Sequence, residues 1–129
     1  MDLADLSSLA KYNEKLKYLL NVIDIFSRYS WCMPLKNKTG TSIISPLKPL
    51  LKNRKPRTIQ SGKGTEFLNT SVQQYVKHHG LNYYMTHNPD IKGAVIERIN
   101  KSLKTRMYKY FTKNNTYRYL DVIYTFNLI

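Results

Sequence analysis

The run Tyr18-Leu-Leu-Asn-Val-Ile-Asp-Ile-Phe26 is the feature that most limits what this chain can fold into. A bilayer span takes about 20 apolar residues, and this run is far shorter and carries Asn21 and Asp24. It is rich in β-branched and aromatic residues, the pattern of a strand buried on both faces. Tyr29 to Leu35 reads as its partner strand, with Ser27-Arg28 in the turn and Pro34 suiting a strand end or an edge.

The remaining segments supply the layers. Asp2 to Leu6 reads as a short strand and Ser7 to Lys15 as a polar connection. Thr39-Gly40-Thr41 introduces a helix through about Asn53. Pro46 is tolerable in a first turn capped by Ser45, whereas Pro49 removes an early helix hydrogen bond, so this helix is expected to start late or kink. Thr58 to Gln60 is a strand, Thr70 to His79 a helix closed by Gly80, and Leu81 to Thr86 a strand. Asn88 to Gly93 is rich in turn residues. The clearest helix runs from Ala94 to about Thr112, with Val95, Ile99, Leu103, Met107 and Tyr110 as its apolar stripe. Asn114-Asn115 breaks it, and Tyr117 onward starts another helix. The order β-β-β-α-β-α-β-α predicts an α/β domain, a mixed sheet with helices on its faces.

Charge speaks to partners. Lys and Arg number 21 against 8 Asp and Glu, a net charge of +13. Such an excess favours a polyanion, most simply nucleic acid. No secretory signal opens the chain, and no membrane partner is expected. Cys32 is the single cysteine, so neither an internal disulfide nor a cysteine zinc cluster forms, and the chain reads as intracellular.

Three positions stand out together: Asp2 in the first strand, Gly62 after the strand at Thr58, and Glu97 in the first turns of the long helix, 35 residues beyond Gly62. They fall within Asp2-Leu-Ala-Asp5, Gln60-Ser-Gly-Lys-Gly-Thr-Glu-Phe67 and Thr86-His-Asn-Pro-Asp-Ile-Lys-Gly-Ala-Val-Ile-Glu-Arg-Ile-Asn100, joined by Val22-Ile-Asp-Ile-Phe-Ser-Arg-Tyr29. In this order and spacing the four segments resemble the catalytic core of retroviral-type integrases, and most of all those of Maverick or Polinton DNA transposons, from Asp2 to about Val122. The resemblance implies a ribonuclease H-like fold: a five-stranded mixed sheet, its first three strands antiparallel, with helices on both sides. It also implies an Asp-Asp-Glu site in which Mg²⁺ or Mn²⁺ ions drive phosphoryl transfer during DNA integration.

Carried over by position, Asp2 matches the first Asp and Glu97 the Glu, as catalytic and metal-binding residues. Gly62 stands where the second Asp is expected and offers no side-chain ligand. Weakened metal binding and impaired catalysis follow as expectations. Glu66, Asp24, Asp5 and Asp90 are poor substitutes: Glu66 needs the loop to rearrange, and Asp5, three residues from Asp2 on a strand, faces the other way. The family's zinc-binding N-terminal domain and C-terminal DNA-binding domain are not expected within these 129 residues. Residues 1–129 are therefore expected to be a single core domain, shortened at both ends.

On the long helix Glu97, Asn100, Lys101 and Lys104 share one face. The resemblance makes Asn100, Lys101 and Lys104 DNA-binding residues; the plainer alternative is a solvated face with a Glu97–Lys101 pair. Lys52 to Arg57 serves equally well as a nuclear-localisation or phosphate patch or as a solvated helix end. Lys104 to Lys113 fits a buried aromatic face with bases outside better than a stacking surface for nucleobases. His78 and His79 suit a helix end, His87 suits either DNA contact or loop support, and Cys32 belongs to the core. The functional expectation is a mobile-element integrase-core protein in the nucleus that binds DNA. Its alternative is a non-catalytic DNA-binding or dimerising relic, and a homodimer is compatible with both.

Overall fold

Leu19 and Leu20 are both fully buried and point to opposite faces of one strand, so this strand carries a core on each side. The computed structural model describes residues 1–62, 65–85 and 91–125. β1 (Asp2–Asp5), β2 (Tyr18–Ile23) and β3 (Ser30–Leu35) form an antiparallel sheet in the order β1-β2-β3, with Asp2 opposite Asn21 and Asn21 opposite Cys32. β4 (Thr58–Ser61) and β5 (Asn82–Met85) form a separate parallel pair. The helices are α1 (Gly40–Arg54), α2 (Thr70–His78) and α3 (Ile91–Asn114), with short 3₁₀ turns at Ser7–Tyr12, Thr65–Leu68 and Ile123–Thr125.

The expected single five-stranded sheet is thus two sheets. Their neighbouring edges are β1 and β4, and the reason for the division lies in how little of β1 passes β4. Among the described residues Met1 carries the backbone link: its nitrogen donates to the Gln60 carbonyl at 2.7 Å, and the Gly62 N–H donates to the Met1 carbonyl at 3.1 Å. Two hydrogen bonds are the start of a parallel ladder but not its continuation.

Helices cover both faces, as expected. Against one face α1 and α2 bury Ile43, Leu47, Val72 and Val76 on Leu20, Leu35 and Phe67. Against the other α3 buries Leu103, Met107 and Phe111 on Ala4, Leu19 and Cys32, and Tyr119 and Ile123 close that core. Each fully buried leucine contributes about 1.5–3 kcal/mol relative to exposure.

Several local expectations change. α1 starts at Gly40, ahead of both prolines, because the Thr39 side chain accepts from the Ser42 N–H and caps it. Burial of Ile43 and Leu47 then outweighs the two hydrogen bonds that Pro46 and Pro49 cannot make. α3 begins at Ile91, so Ile91 to Gly93 are helical rather than part of a loop. Its buried stripe is Ile96, Ile99, Leu103, Met107 and Phe111, one residue round from Val95 and Tyr110. After Asn115 the described chain makes no further α-helix: Tyr119 is drawn into the core and only a 3₁₀ turn follows. The polar connection after β1 hides a buried Asn13. Its amide donates to the carbonyls of Leu9 and Tyr117 and its Oδ1 accepts from the Tyr119 N–H at 2.8 Å. No helix among the described residues is long and apolar enough to cross a membrane.

Candidate active site

The alternation along β1 sends Leu3 into the α1 layer and Ala4 into the α3 layer, so Asp2 lies on the α3 side. α3 brings Glu97 to the same end of the sheet from its second turn, and Gly62 follows the last residue of β4. Asp2, Gly62, Glu66 and Glu97 all line one cleft of about 1050 Å³. The three sequence positions therefore line one cleft, and Glu66 lines it with them.

Gly62 touches Asp2 closely enough to define what a side chain there would do. A Cβ built on Gly62 falls 2.7 Å from Asp2 Oδ1 and 3.0 Å from its Cγ. A ligand at this position would stand directly beside the Asp2 carboxylate, and Asp2 would have to swing aside to admit it.

The Asp2 carboxylate accepts two hydrogen bonds. The Leu3 N–H donates to Oδ1 at 2.9 Å, and the Asn100 amide donates to Oδ2 at 3.1 Å. Asn100 is held in turn by Asn21, whose amide donates to Asn100 Oδ1 at 2.6 Å. Burial, followed by the negative charge of Glu66, raises the Asp2 pKa above the ordinary aspartate value, more than these donors lower it. Asn21 is fully buried in β2, and its own Oδ1 has no hydrogen-bond partner among the described residues.

Sequence reasoning missed Asn21. The available signal was a lone amide in a strand buried on both faces, since a buried polar group needs a partner. Glu66 lies close enough to Asp2 for its charge to raise the Asp2 pKa. Asn100 points inward to Asp2 and Asn21 in this structure, while Lys101 and Lys104 stand exposed on α3. Lys104 lies near Asp5, whose carboxyl is held low first by the Ser7 hydroxyl and N–H. His87 and Asp90 lie outside the described residues.

Among the described residues no three His, Cys, Asp or Glu side chains form a group that could hold a metal ion. Asp2, Glu66 and Glu97 line the cleft without being gathered into such a group, and with glycine at position 62 they do not fit a site for two ions. The basic cluster lies elsewhere. Lys52, Lys55 and Arg57 join Lys48, Tyr75 and His79 around a second hollow of about 950 Å³ with no acidic residue in its lining. Cys32 is buried beneath α3, and burial alone pushes its thiol up to about 11.

Comparison with known proteins adds the following. The sequence model of the integrase core domain family matches residues 2–89. Glu97 lies beyond that match. A transposon-derived protein of Caenorhabditis elegans is 36% identical over 120 residues, which are 92% of this chain and 42% of that protein. A retrovirus-related Pol polyprotein from a transposon of Arabidopsis thaliana is 32% identical over 88 residues, 62% of this chain and 6% of the polyprotein. The chain thus spans less than half the length of either relative. Among solved structures, the HTLV-2 integrase catalytic core domain in complex with magnesium has a TM-score of 0.61 at 22% identity, over 74% of this chain and 61% of that one. An intasome of simian T-cell lymphotropic virus, in complex with PP2A regulatory subunit B56 gamma, gives a TM-score of 0.67 at 25% identity, over 81% of this chain and 38% of that one. The first of these likenesses speaks to the fold alone.

Proposed function

Because the chain belongs to the integrase core domain family and has its ribonuclease H-like fold, we propose that it is an integrase-like protein of a transposable element that binds DNA and is impaired in phosphoryl transfer. Residues 1–129 are then a single core domain. Asp2 and Glu97 are the remaining catalytic carboxylates. Lys101 and Lys104 hold phosphates by charge, and Asn100 positions Asp2 at the site besides any contact with DNA. The observation that carries the impairment is the contact at Gly62: the place for a further ligand is beside Asp2, and it holds only hydrogen.

A net charge of +13 supports the DNA partner, and the acid-free basic hollow at Lys52 to Arg57 supports a second phosphate contact. The same basic cluster supports a nuclear location. Divalent metal dependence is carried by the family, and the donor set at Asp2 and Glu97 supports only weakened binding. The second reading is a non-catalytic DNA-binding module that dimerises, and Gly62 is the observation that favours it.

The test is a Mn²⁺-dependent nicking and strand-transfer assay on short duplexes, with duplex affinity measured in parallel. The chain as given, Gly62→Asp, and Gly62→Asp with Glu97→Ala are compared. Gly62→Asp is expected to gain activity that Glu97→Ala removes. If the unaltered chain nicks DNA as fast as Gly62→Asp, the impairment is wrong. If all three bind duplex and none acts, the binding-module reading takes over, and size-exclusion at several concentrations then tests the homodimer.

A further inference from the structure

The cleft that holds Asp2 and Glu97 does not end at the carboxylates. Phe26, Arg28, Trp31 and Arg54 also line it. Trp31 pairs with Val22 across β2–β3, one residue along from the Asn21 that pairs with Asp2. Trp31 alternates with Cys32, which packs under α3, so its side chain is on the α1 face of the sheet, opposite to that of Asp2, and the cleft passes round the sheet end from one face to the other.

Trp31 and Arg54 at this end of the cleft belong to an aromatic and guanidinium cluster that also includes Tyr29. Tyr29 and Trp31 have ring centroids 4.7 Å apart, tilted by 54°. The Arg54 guanidinium lies 5.1 Å from the Trp31 ring and 5.6 Å from the Tyr29 ring. Asp24 fixes Arg54 from the side at 3.5 Å while leaving its side chain 45% exposed. The same Asp24 organises the β2–β3 turn: its Oδ1 accepts from the Phe26 N–H at 3.0 Å and its carbonyl from the Arg28 N–H at 2.7 Å. So braced, the turn holds Phe26 98% exposed. A single exposed apolar side chain is ordinary. One held by an ordered turn, beside a planar cation and an indole in the rim of a carboxylate-bearing cleft, has a ligand chemistry.

We propose that Phe26, Trp31 and Arg54 form a subsite for unpaired nucleotides of a DNA strand whose neighbouring part lies at Asp2 and Glu97. Every base offers a π-face, and aromatic and guanidinium planes hold it without regard to sequence. Bases within a duplex are already stacked on their neighbours and cannot use such a surface without fraying. Arg28 and Arg54 supply positive charge for the phosphates, which the carboxylate end of the cleft repels. The subsite deepens the DNA-binding reading and rests on it.

Trp31 is the only tryptophan in the chain and reports on its own occupancy. The full chain is titrated at low salt with a thymidine oligonucleotide, a blunt duplex, and the same duplex carrying a single-stranded overhang. Trp31 fluorescence and the anisotropy of labelled DNA are followed together. The overhang duplex and the oligonucleotide are expected to quench Trp31, and the overhang duplex to bind about tenfold more tightly than the blunt one, the worth of one stacked base. Phe26→Ala, at a position that contributes no burial, is expected to remove that advantage and leave blunt-duplex affinity unchanged, while Phe26→Tyr retains it. Arg54→Lys keeps the charge and loses the planar stack, so it is expected to lower the advantage as well. If blunt and overhang duplexes bind alike, without quenching and without effect of Phe26→Ala, the subsite is refuted and DNA binding stands. If none of the three DNAs binds, the DNA-binding reading falls and the subsite falls with it.

Discussion

Replacing Asn100 by alanine should cost more stability than a half-buried helix residue normally does, and most of the cost should depend on Asn21. Two interactions are lost. The first is the donor to Asp2 Oδ2, on a carboxylate still partly open to water, where the net worth of a hydrogen bond is about 1 kcal/mol. The second is the acceptor for the Asn21 amide, which is fully buried and has no water to turn to. Stripping a buried donor costs about 1–3 kcal/mol. Alanine's better helix propensity returns about 0.5 kcal/mol, leaving a net loss of about 2 kcal/mol. With about 2.1 cal/mol/K of unfolding entropy per residue, that is a fall of roughly 7 °C in Tm for a chain of 129 residues. In an Asn21→Val background the stranded donor no longer exists, and Asn100→Ala should cost about 1.5 kcal/mol less. Urea unfolding of the four proteins, with a common m-value, measures this coupling. Equal costs in the two backgrounds, within about 0.5 kcal/mol, would refute the dependence of Asn21 on Asn100.

Asn13→Ala should destabilise by about 3 kcal/mol, because it strips the Tyr119 N–H and the Leu9 and Tyr117 carbonyls together; thermal melting with an unchanged m-value in urea checks it, and a loss below about 1 kcal/mol would show that these groups find other partners. Cys32 should resist alkylation at neutral pH in the folded protein. Its thiol pKa is raised from 9.0 to about 11, so its contribution to stability is fully present below 9.0 and is lost as pH rises through about 11. Urea midpoints across that range should fall less steeply for Cys32→Ala than for the unaltered chain.

The parts of the fold legible in the sequence were those where one pattern had one structural solution. The apolar run at Tyr18 reads as a strand covered on both sides, and up to Ile23 it is one, with Leu19 and Leu20 as its two faces; Asp24 to Phe26 belong instead to the turn, which the sequence pattern confines to Ser27-Arg28. Asp2, Gly62 and Glu97 were legible by their segments and order, and the cleft joins them. What escaped were tertiary decisions. Pro46 and Pro49 argued for a late start to α1, but the cap at Thr39 and the burial of Ile43 and Leu47 are stronger. The α3 stripe was read one residue off because Val95 and Ile96 are equally apolar and only packing chooses between them. Asn21 showed in the sequence only as an interruption of a hydrophobic run; its role needs the hydrogen bond to Asn100, a contact between residues far apart in the chain.

The junction between β1 and β4 has a mechanical consequence. The elements bearing Asp2 and Gly62 are stitched by two backbone hydrogen bonds, whereas Asp2 is fastened to β2 by a full antiparallel register. Across the junction the main adhesive is side-chain packing of Met1, Leu20, Ile59 and Phe67, which has no preferred direction. Such a boundary behaves as a slip joint: small sliding of the β4–β5 pair past β1 costs few directional bonds, unlike any shift within the three-stranded sheet. A carboxylate at position 62 would press on Asp2 across this joint, and the two directional bonds there are the ones that a wider spacing of the two elements would have to give up.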